Sequence, residues 1–227
     1  NTSDKVYVCS SDETTTQTLT GSGSLLDVTI EGSKPSFTGD TGDNAFTLTG
    51  DAGITFEDET AGAMITGNRY GIYARTEGSS KLSITTTGTT TGTKYDGIFA
   101  RNNGTSLTIN AATTTGGQNG IYAKNTGTGA LSITTTGKTT GGIGHGIYAF
   151  NAGSGGTSIT VASTGSIETS ADTGYGIFNK SSGTADVPNV ITVAGTIKTT
   201  GEGAHGIYNS GDFNKTILAA GGSIVTT

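Results

Sequence analysis

Apolar and polar residues alternate in short runs along most of the chain, and the runs return in a fixed order. The clearest is Gly71-Ile72-Tyr73-Ala74-Arg75, echoed at Gly97-Ile98-Phe99-Ala100-Arg101, Gly120-Ile121-Tyr122-Ala123-Lys124, Gly146-Ile147-Tyr148-Ala149-Phe150, Gly176-Ile177-Phe178-Asn179-Lys180 and Gly206-Ile207-Tyr208-Asn209-Ser210. Successive glycines of this pentapeptide are 26, 23, 26, 30 and 30 residues apart. Period-two alternation predicts a strand in each run, and a repeat of this length predicts units that bury their apolar residues only by stacking on neighbours. A turn with Asn and Gly follows, as in Arg101-Asn102-Asn103-Gly104 and Lys124-Asn125-Thr126-Gly127. A second strand is predicted at Leu82-Ser83-Ile84-Thr85, Leu107-Thr108-Ile109, Leu131-Ser132-Ile133-Thr134, Ser158-Ile159-Thr160-Val161, Val190-Ile191-Thr192-Val193 and Thr216-Ile217-Leu218. A third is Thr-rich at first (Thr89-Thr90-Thr91, Lys138-Thr139-Thr140) and gains Ile167, Ile197 and Ile224 later.

Three short strands per unit of roughly two dozen residues describe one coil of an all-β, three-faced parallel β-helix, right-handed because parallel crossovers are. At ~4.8 Å per coil, about eight coils make a rod of about 40 Å. A propeller blade needs about 40 residues and four strands. A leucine-rich repeat needs several Leu per unit at fixed spacing, and these units offer one at most. Residues 1–68 lack the pentapeptide but contain apolar-alternating runs such as Leu25-Leu26-Asp27-Val28-Thr29-Ile30, Ala45-Phe46-Thr47-Leu48 and Gly53-Ile54-Thr55-Phe56. They are expected to form irregular, acidic capping coils, and residues 69–227 the regular repeats, within one continuous domain.

Strand alternation then sorts inside from outside. Ile72 and Ala74 share one face, and Tyr73 and Arg75 the other. Arg75, Arg101, Lys124 and Lys180 cannot be buried unpaired, because an uncompensated charge in a dry interior costs several kcal/mol. The basic row therefore points outward and takes Tyr73, Phe99, Tyr122, Tyr148, Phe178 and Tyr208 with it. Six aromatics about 4.8 Å apart are expected to stack and to accept cation–π contacts from the neighbouring Arg and Lys. Such a ladder either only stabilises the sheet or also forms a stripe for protein recognition, where Tyr and Arg are favoured. On the second reading the candidate receptor-binding residues are Tyr73, Arg75, Phe99, Arg101, Tyr122, Lys124, Tyr148, Lys180 and Tyr208. If instead the aromatics fill the core, the stripe disappears.

Composition agrees with strands: Gly supplies 39 of 227 residues and Pro only 2, with Ser and Thr filling much of the rest. A disordered Gly/Ser/Thr linker has no reason to place apolar residues at fixed positions, which excludes that class. The net charge of −6 hides an asymmetry. Residues 1–68 hold 11 acidic and 2 basic side chains, net −9, whereas residues 69–227 hold 7 acidic and 10 basic, net +3. No segment is basic enough to read as a nucleic-acid binder. The single cysteine, Cys9, cannot form an internal disulfide, and low cysteine use fits a bacterial protein exported unfolded. No run approaches the ~20 apolar residues of a spanning helix, and no signal peptide is visible, so a secreted form would be a mature or trimmed piece.

The motifs of catalysis are not found. There is no nucleophile elbow, His-Glu-x-x-His, Cys-x-x-Cys, phosphate loop or calcium-binding nonapeptide. His145 and His205 precede pentapeptide glycines at positions equivalent to Tyr70, Asp96, Asn119 and Tyr175, and read as solvated turn residues. Two coils separate them by roughly 10 Å, too far to share a metal. Asp40 and Asp43 read as an Asx turn rather than a cation site. The carboxylates beyond Gly71 occupy no common place in the repeat, unlike those of polysaccharide-cleaving β-helices. No catalytic residue, metal or cofactor is assigned.

The wording of the units carries a resemblance. Gly120-Ile121-Tyr122-Ala123-Lys124-Asn125, followed by Leu131-Ser132-Ile133-Thr134-Thr135-Thr136-Gly137 and Thr139-Thr140-Gly141, resembles the passenger repeats of type V autotransporters, most closely those of Bartonella, over residues 71 to about 210. The resemblance implies export through the passenger's own outer-membrane translocator barrel, followed by release or display outside the cell. It extends to proangiogenic passengers, which implies a non-enzymatic virulence factor that mimics vascular endothelial growth factor on its endothelial receptor. An adhesin or spacer that binds host matrix is the alternative. Because such repeats serve passengers of different activity, the resemblance transfers no binding residue.

Overall fold

The computed structural model describes residues 4–60, 62–184 and 186–227. Among the described residues there are strands and turns and no helix. The strands stack coil upon coil in three rows, and every named pairing between them is parallel.

The first row contains Gln17–Gly21, Phe46–Gly50, Ile72–Thr76, Ile98–Asn102, Ile121–Asn125, Ile147–Asn151, Tyr175–Ser181 and His205–Ser210, paired in that order as an eight-stranded sheet. The second runs from Lys5–Cys9 through Leu26–Ile30, Ile54–Asp58, Leu82–Gly92, Leu107–Gly116, Leu131–Thr135, Thr157–Val161 and Asn189–Val193 to Asn214–Leu218. The third holds Ser36–Thr38, Met64–Gly67, Lys138–Gly141, Ser166–Thr169, Thr196–Thr199 and Ser223–Thr226. Leu82–Gly92 and Leu107–Gly116 are long enough to turn the corner and serve both of these rows, which makes one fifteen-stranded sheet. The register slips once between Ala111 and Thr113, at that corner. The sequence reads Thr89 to Thr91 as a separate strand because no hydrophobic residue bridges it to Ile84, yet the chain there stays extended.

Inward positions repeat from coil to coil. Ile72, Ile98, Ile121, Ile147 and Ile177 form one fully buried column, and Ala74, Ala100, Ala123 and Ala149 another. Burying each Ile side chain contributes about 1.5–3 kcal/mol, and only the neighbouring coils make that burial possible. Residues 5–67 supply strands to all three rows in register with the repeats, for example Phe46 beside Ile72 and Phe56 beside Ile84. Their core is filled by the rings of Phe37, Phe46 and Phe56, with centroids 5.1 Å apart in each contacting pair. Within the acidic run 57–59, Asp58 is buried and accepts hydrogen bonds from the Thr60 amide (2.9 Å), the Thr60 hydroxyl (2.8 Å) and the amides of Thr87 and Gly88 (3.0 Å each). That carboxylate ties two coils together at a corner.

Why the pentapeptide begins with glycine is visible at the opposite corner. A Cβ on Gly71, Gly97 or Gly120 would lie 2.6, 2.5 or 2.6 Å from the Cγ2 of Thr90, Thr114 or Thr139. On Gly146, Gly176 and Gly206 it would meet the Cγ2 of Ile167, Ile197 and Ile224 at 2.2 to 2.3 Å. The third row rests its β-branched side chain on bare backbone, so any side chain here pushes the two rows apart.

The other corner of the first row holds an asparagine ladder. Asn102 and Asn125 end their strands with side chains fully buried, rather than sitting in the turn the sequence suggests. Asn102 Nδ2 donates to Asn125 Oδ1 and Asn125 Nδ2 to Asn151 Oδ1, both at 3.0 Å, and Thr76 Oγ1 donates to Asn102 Oδ1. The same amides also cap turn carbonyls, at Ser106 (3.1 Å) and Gly129 (2.9 Å).

Two substitutions and a surface control check this packing by urea denaturation. Gly120→Ala is expected to cost about 1–3 kcal/mol by overpacking, whereas Ser132→Ala on the outer surface changes stability little. Asn125→Ala takes one of the two Nδ2 acceptors from buried Asn102 and the side-chain donor from the Gly129 carbonyl, and is expected to cost about 1–3 kcal/mol.

Candidate functional site

The outer surface of the first row holds the residues singled out in the sequence. Strand pairing puts Tyr73, Phe99, Tyr122, Tyr148, Phe178 and Tyr208 in one column, with centroids 4.8 to 5.1 Å apart and ring planes within 10° of parallel. The rings are half-buried against one another except Tyr208, which is exposed at the end of the column. Because they stack face to face along the rod, their faces are occupied. What solvent meets is ring edges and the phenol hydroxyls of Tyr73, Tyr122, Tyr148 and Tyr208.

Two residues further along each strand, Arg75, Arg101, Lys124, Phe150, Lys180 and Ser210 share the next column. Arg75 pairs with Glu77, and Lys124 Nζ lies over the Phe150 ring, 5.3 Å from its centroid. The expected cation–π contacts with the ladder rings do not form, because the ladder has used both faces of its inner rings. They form instead on rings outside it: Arg69 and Lys94 lie 5.3 and 5.5 Å from the centroid of Tyr95. Among the described residues only Arg75–Glu77 and Lys138–Glu168 form ion pairs. Arg101, Lys124 and Lys180 therefore have no carboxylate partner there, and the buried Nε of Arg101 has no hydrogen-bond partner.

On the other side of the ladder, the residues before the pentapeptide glycines form a second, uneven aromatic column that the sequence did not disclose. Tyr70 stacks on Tyr95 at 5.1 Å and also contacts Tyr73 and Phe99. His145, read from sequence as a solvated turn residue, is half-buried between Tyr148 and Phe178 and touches Tyr175, which in turn stacks on His205. His205 is the exposed one. Where this position is not Tyr, in four coils it supplies an acceptor aimed at the next coil. Asn44 Oδ1 takes the Tyr70 amide (3.3 Å), Asp96 Oδ1 the Asn119 amide (3.0 Å), Asn119 Oδ1 the His145 amide (2.8 Å) and His145 Nδ1 the Tyr175 amide (3.1 Å). Asp, Asn and His interchange because each offers a lone pair there. Burial raises the pKa of Asp96, and the two hydrogen bonds from Asn119 oppose that shift. Burial lowers the pKa of His145.

The fold and this surface define a class: a parallel β-solenoid whose first row displays an ordered aromatic stripe flanked by cations. Among the described residues, no three His, Cys, Asp or Glu side chains cluster so as to hold a metal ion. No protein-family model, curated protein or solved structure matches the chain.

The acceptor column makes stability depend on pH. The Tyr175 amide needs His145 neutral, and the lowered folded pKa means the unfolded chain binds the proton first. Stability is expected to fall as pH drops through about 6.5 and to level off below the folded pKa. Urea midpoints at pH 7.5 and 5.5 measure the drop, which His145→Asn should reduce because Asn119 already fills the same role. Asp96→Asn removes a buried charge and keeps the acceptor, so its melting temperature at pH 7 should rise by about 2–4 °C.

Proposed function

We propose that this chain is a secreted, non-enzymatic passenger of the autotransporter type that binds a host cell-surface receptor through the outer surface of its first row. The endothelial receptor for vascular endothelial growth factor is the receptor proposed. The single observation behind the use of this surface is the continuous stripe from Tyr73 to Tyr208, with Arg101, Lys124 and Lys180 beside it and free of carboxylate partners among the described residues. Tyr and Arg on a rigid sheet meet a partner with little loss of side-chain freedom, because the stack has already ordered them. The passenger assignment, with export through an outer-membrane barrel, is supported by the wording of the repeats.

Receptor phosphorylation in endothelial cells treated with purified protein tests the reading. A saturable response supports it; no response at saturating protein defeats the signalling role, and binding to matrix proteins without phosphorylation points to an adhesin. Replacing Arg75, Arg101 and Lys124 together by Gln should leave the melting temperature near wild type and weaken receptor binding by roughly tenfold or more. Gln is the better probe, since three glutamates stacked one coil apart would repel one another. Unchanged affinity would exclude this surface as the contact.

A further inference from the structure

Ten cationic side chains lie in residues 69–227, and six of them, Arg69, Arg75, Lys94, Arg101, Lys124 and Lys180, lie on or beside the first-row surface. Of the acids near them, Glu77 is engaged by Arg75 and Asn103 (2.8 Å), Asp96 is buried against Asn119 (2.8 Å) and Asp51 accepts the Gly23 amide (2.7 Å), while Asp212 lines a groove with Lys180, outside the stretch from Arg69 to Lys124. Arg69 and Lys94 share Tyr95 on one side of the aromatic ladder, and Arg101 and Lys124 stand in register on the other. The ladder rings fix the coil spacing at 4.8 to 5.1 Å, so Arg75, Arg101 and Lys124 recur at that interval before Phe150 interrupts the column.

We infer that this double cationic margin binds a sulfated linear polysaccharide lying along the rod axis. The interval argues against an acidic peptide: an extended chain places like-facing carboxylates roughly 6.8 Å apart, out of step with the coils. A polysaccharide with an anionic group on most of its sugars supplies charge densely enough to meet successive coils, and the phenol hydroxyls between the margins offer donors to its oxygens. A single-stranded nucleic acid needs exposed ring faces for its bases, and here the inner rings cover one another. The acidic coils of residues 4–68 repel a polyanion at one end of the rod and confine it to the rest. This binding goes beyond the receptor reading and does not require it.

Binding of heparin oligosaccharide to the intact chain, measured by calorimetry and by the salt needed to elute the protein from a heparin column, tests the inference. Two variants carry the same charge change. In one, Arg69, Lys94, Arg101 and Lys124 are replaced by Gln; in the other, Lys81, Lys138, Lys198 and Lys215 are. The first should bind at least about tenfold more weakly at about 0.15 M salt, with a shallower salt dependence, and the second should keep wild-type affinity. Equal loss in both variants would reduce the effect to net charge and overturn the site, as would wild-type affinity in the first. Displacement of heparin by poly-glutamate at equal charge concentration would overturn it in favour of an acidic protein segment, and fully desulfated heparin must fail to compete. No cell or receptor enters the measurement, so its failure leaves receptor phosphorylation to be judged separately.

Discussion

One contact is repeated in every regular coil and constrains the others: a β-branched methyl of the third row seated on the bare backbone of a first-row glycine. From Gly71 on Thr90 to Gly206 on Ile224 the partner changes between Thr and Ile, but the group that touches is always Cγ2. Holding two rows this close leaves a thin core, which Ile, Leu and Ala fill without large rings. It also keeps successive coils nearly superimposable, since a coil whose corner opened would lose register with both neighbours. The parallel planes of the outer rings follow from this, because only coils stacked without offset bring Tyr122 and Tyr148 within 1° of parallel.

The fold was legible because the constraint leaves a mark at every turn. Glycine in a fixed place, alternation on either side of it and a period of 23 to 30 residues together admit a coil and little else. The inside and outside of the first row were legible for a second reason, the cost of burying the Arg and Lys column. What stayed hidden depends on distances between coils. Asn102 and Asn125 look like turn formers because isolated Asn usually is one, and their ladder exists only once a neighbouring Asn stands one coil away. His145 looked solvated because its equivalents are all polar, yet Asp96, Asn119 and His145 each offer an acceptor to the next coil. The aromatic stripe was foreseen, but not that stacking would use up the ring faces and send the cation–π contacts to Tyr95 and Phe150.

Polar groups inside the rod divide by whether the stack can satisfy them. Asp58 and the Asn102, Asn125 and Asn151 side chains are matched on several sides and act as fixed joints. The inward hydroxyls of Thr90, Thr114 and Thr139 have no partner among the described residues, although a buried hydroxyl without a hydrogen bond costs on the order of 1–3 kcal/mol. They are tolerated because Thr brings the required Cγ2 with less bulk than Ile, beside a glycine already in contact. In later coils the same position is Ile167 and Ile197, and there the repeat lengthens to 30 residues. Ile keeps the Cγ2 contact with the glycine and removes the orphaned hydroxyl.

Repetition also decides how the outer surface works. A single Arg or Lys on a flat sheet holds a partner weakly, because exposed ion pairs contribute at most about 1 kcal/mol each. When the next coil repeats the cation in register, a partner that engages one is already placed for the next, and the contacts combine through effective concentration. The strength of such a surface grows with the number of uninterrupted coils. Here the cationic column is broken where Phe150 stands between Lys124 and Lys180, and again at Ser210. The uninterrupted stretch, Arg75 to Lys124, is also the one flanked by Arg69 and Lys94 across the ladder. Unpaired cationic charge is therefore concentrated over three coils near the junction with the acidic region, where the change of charge along the rod is steepest.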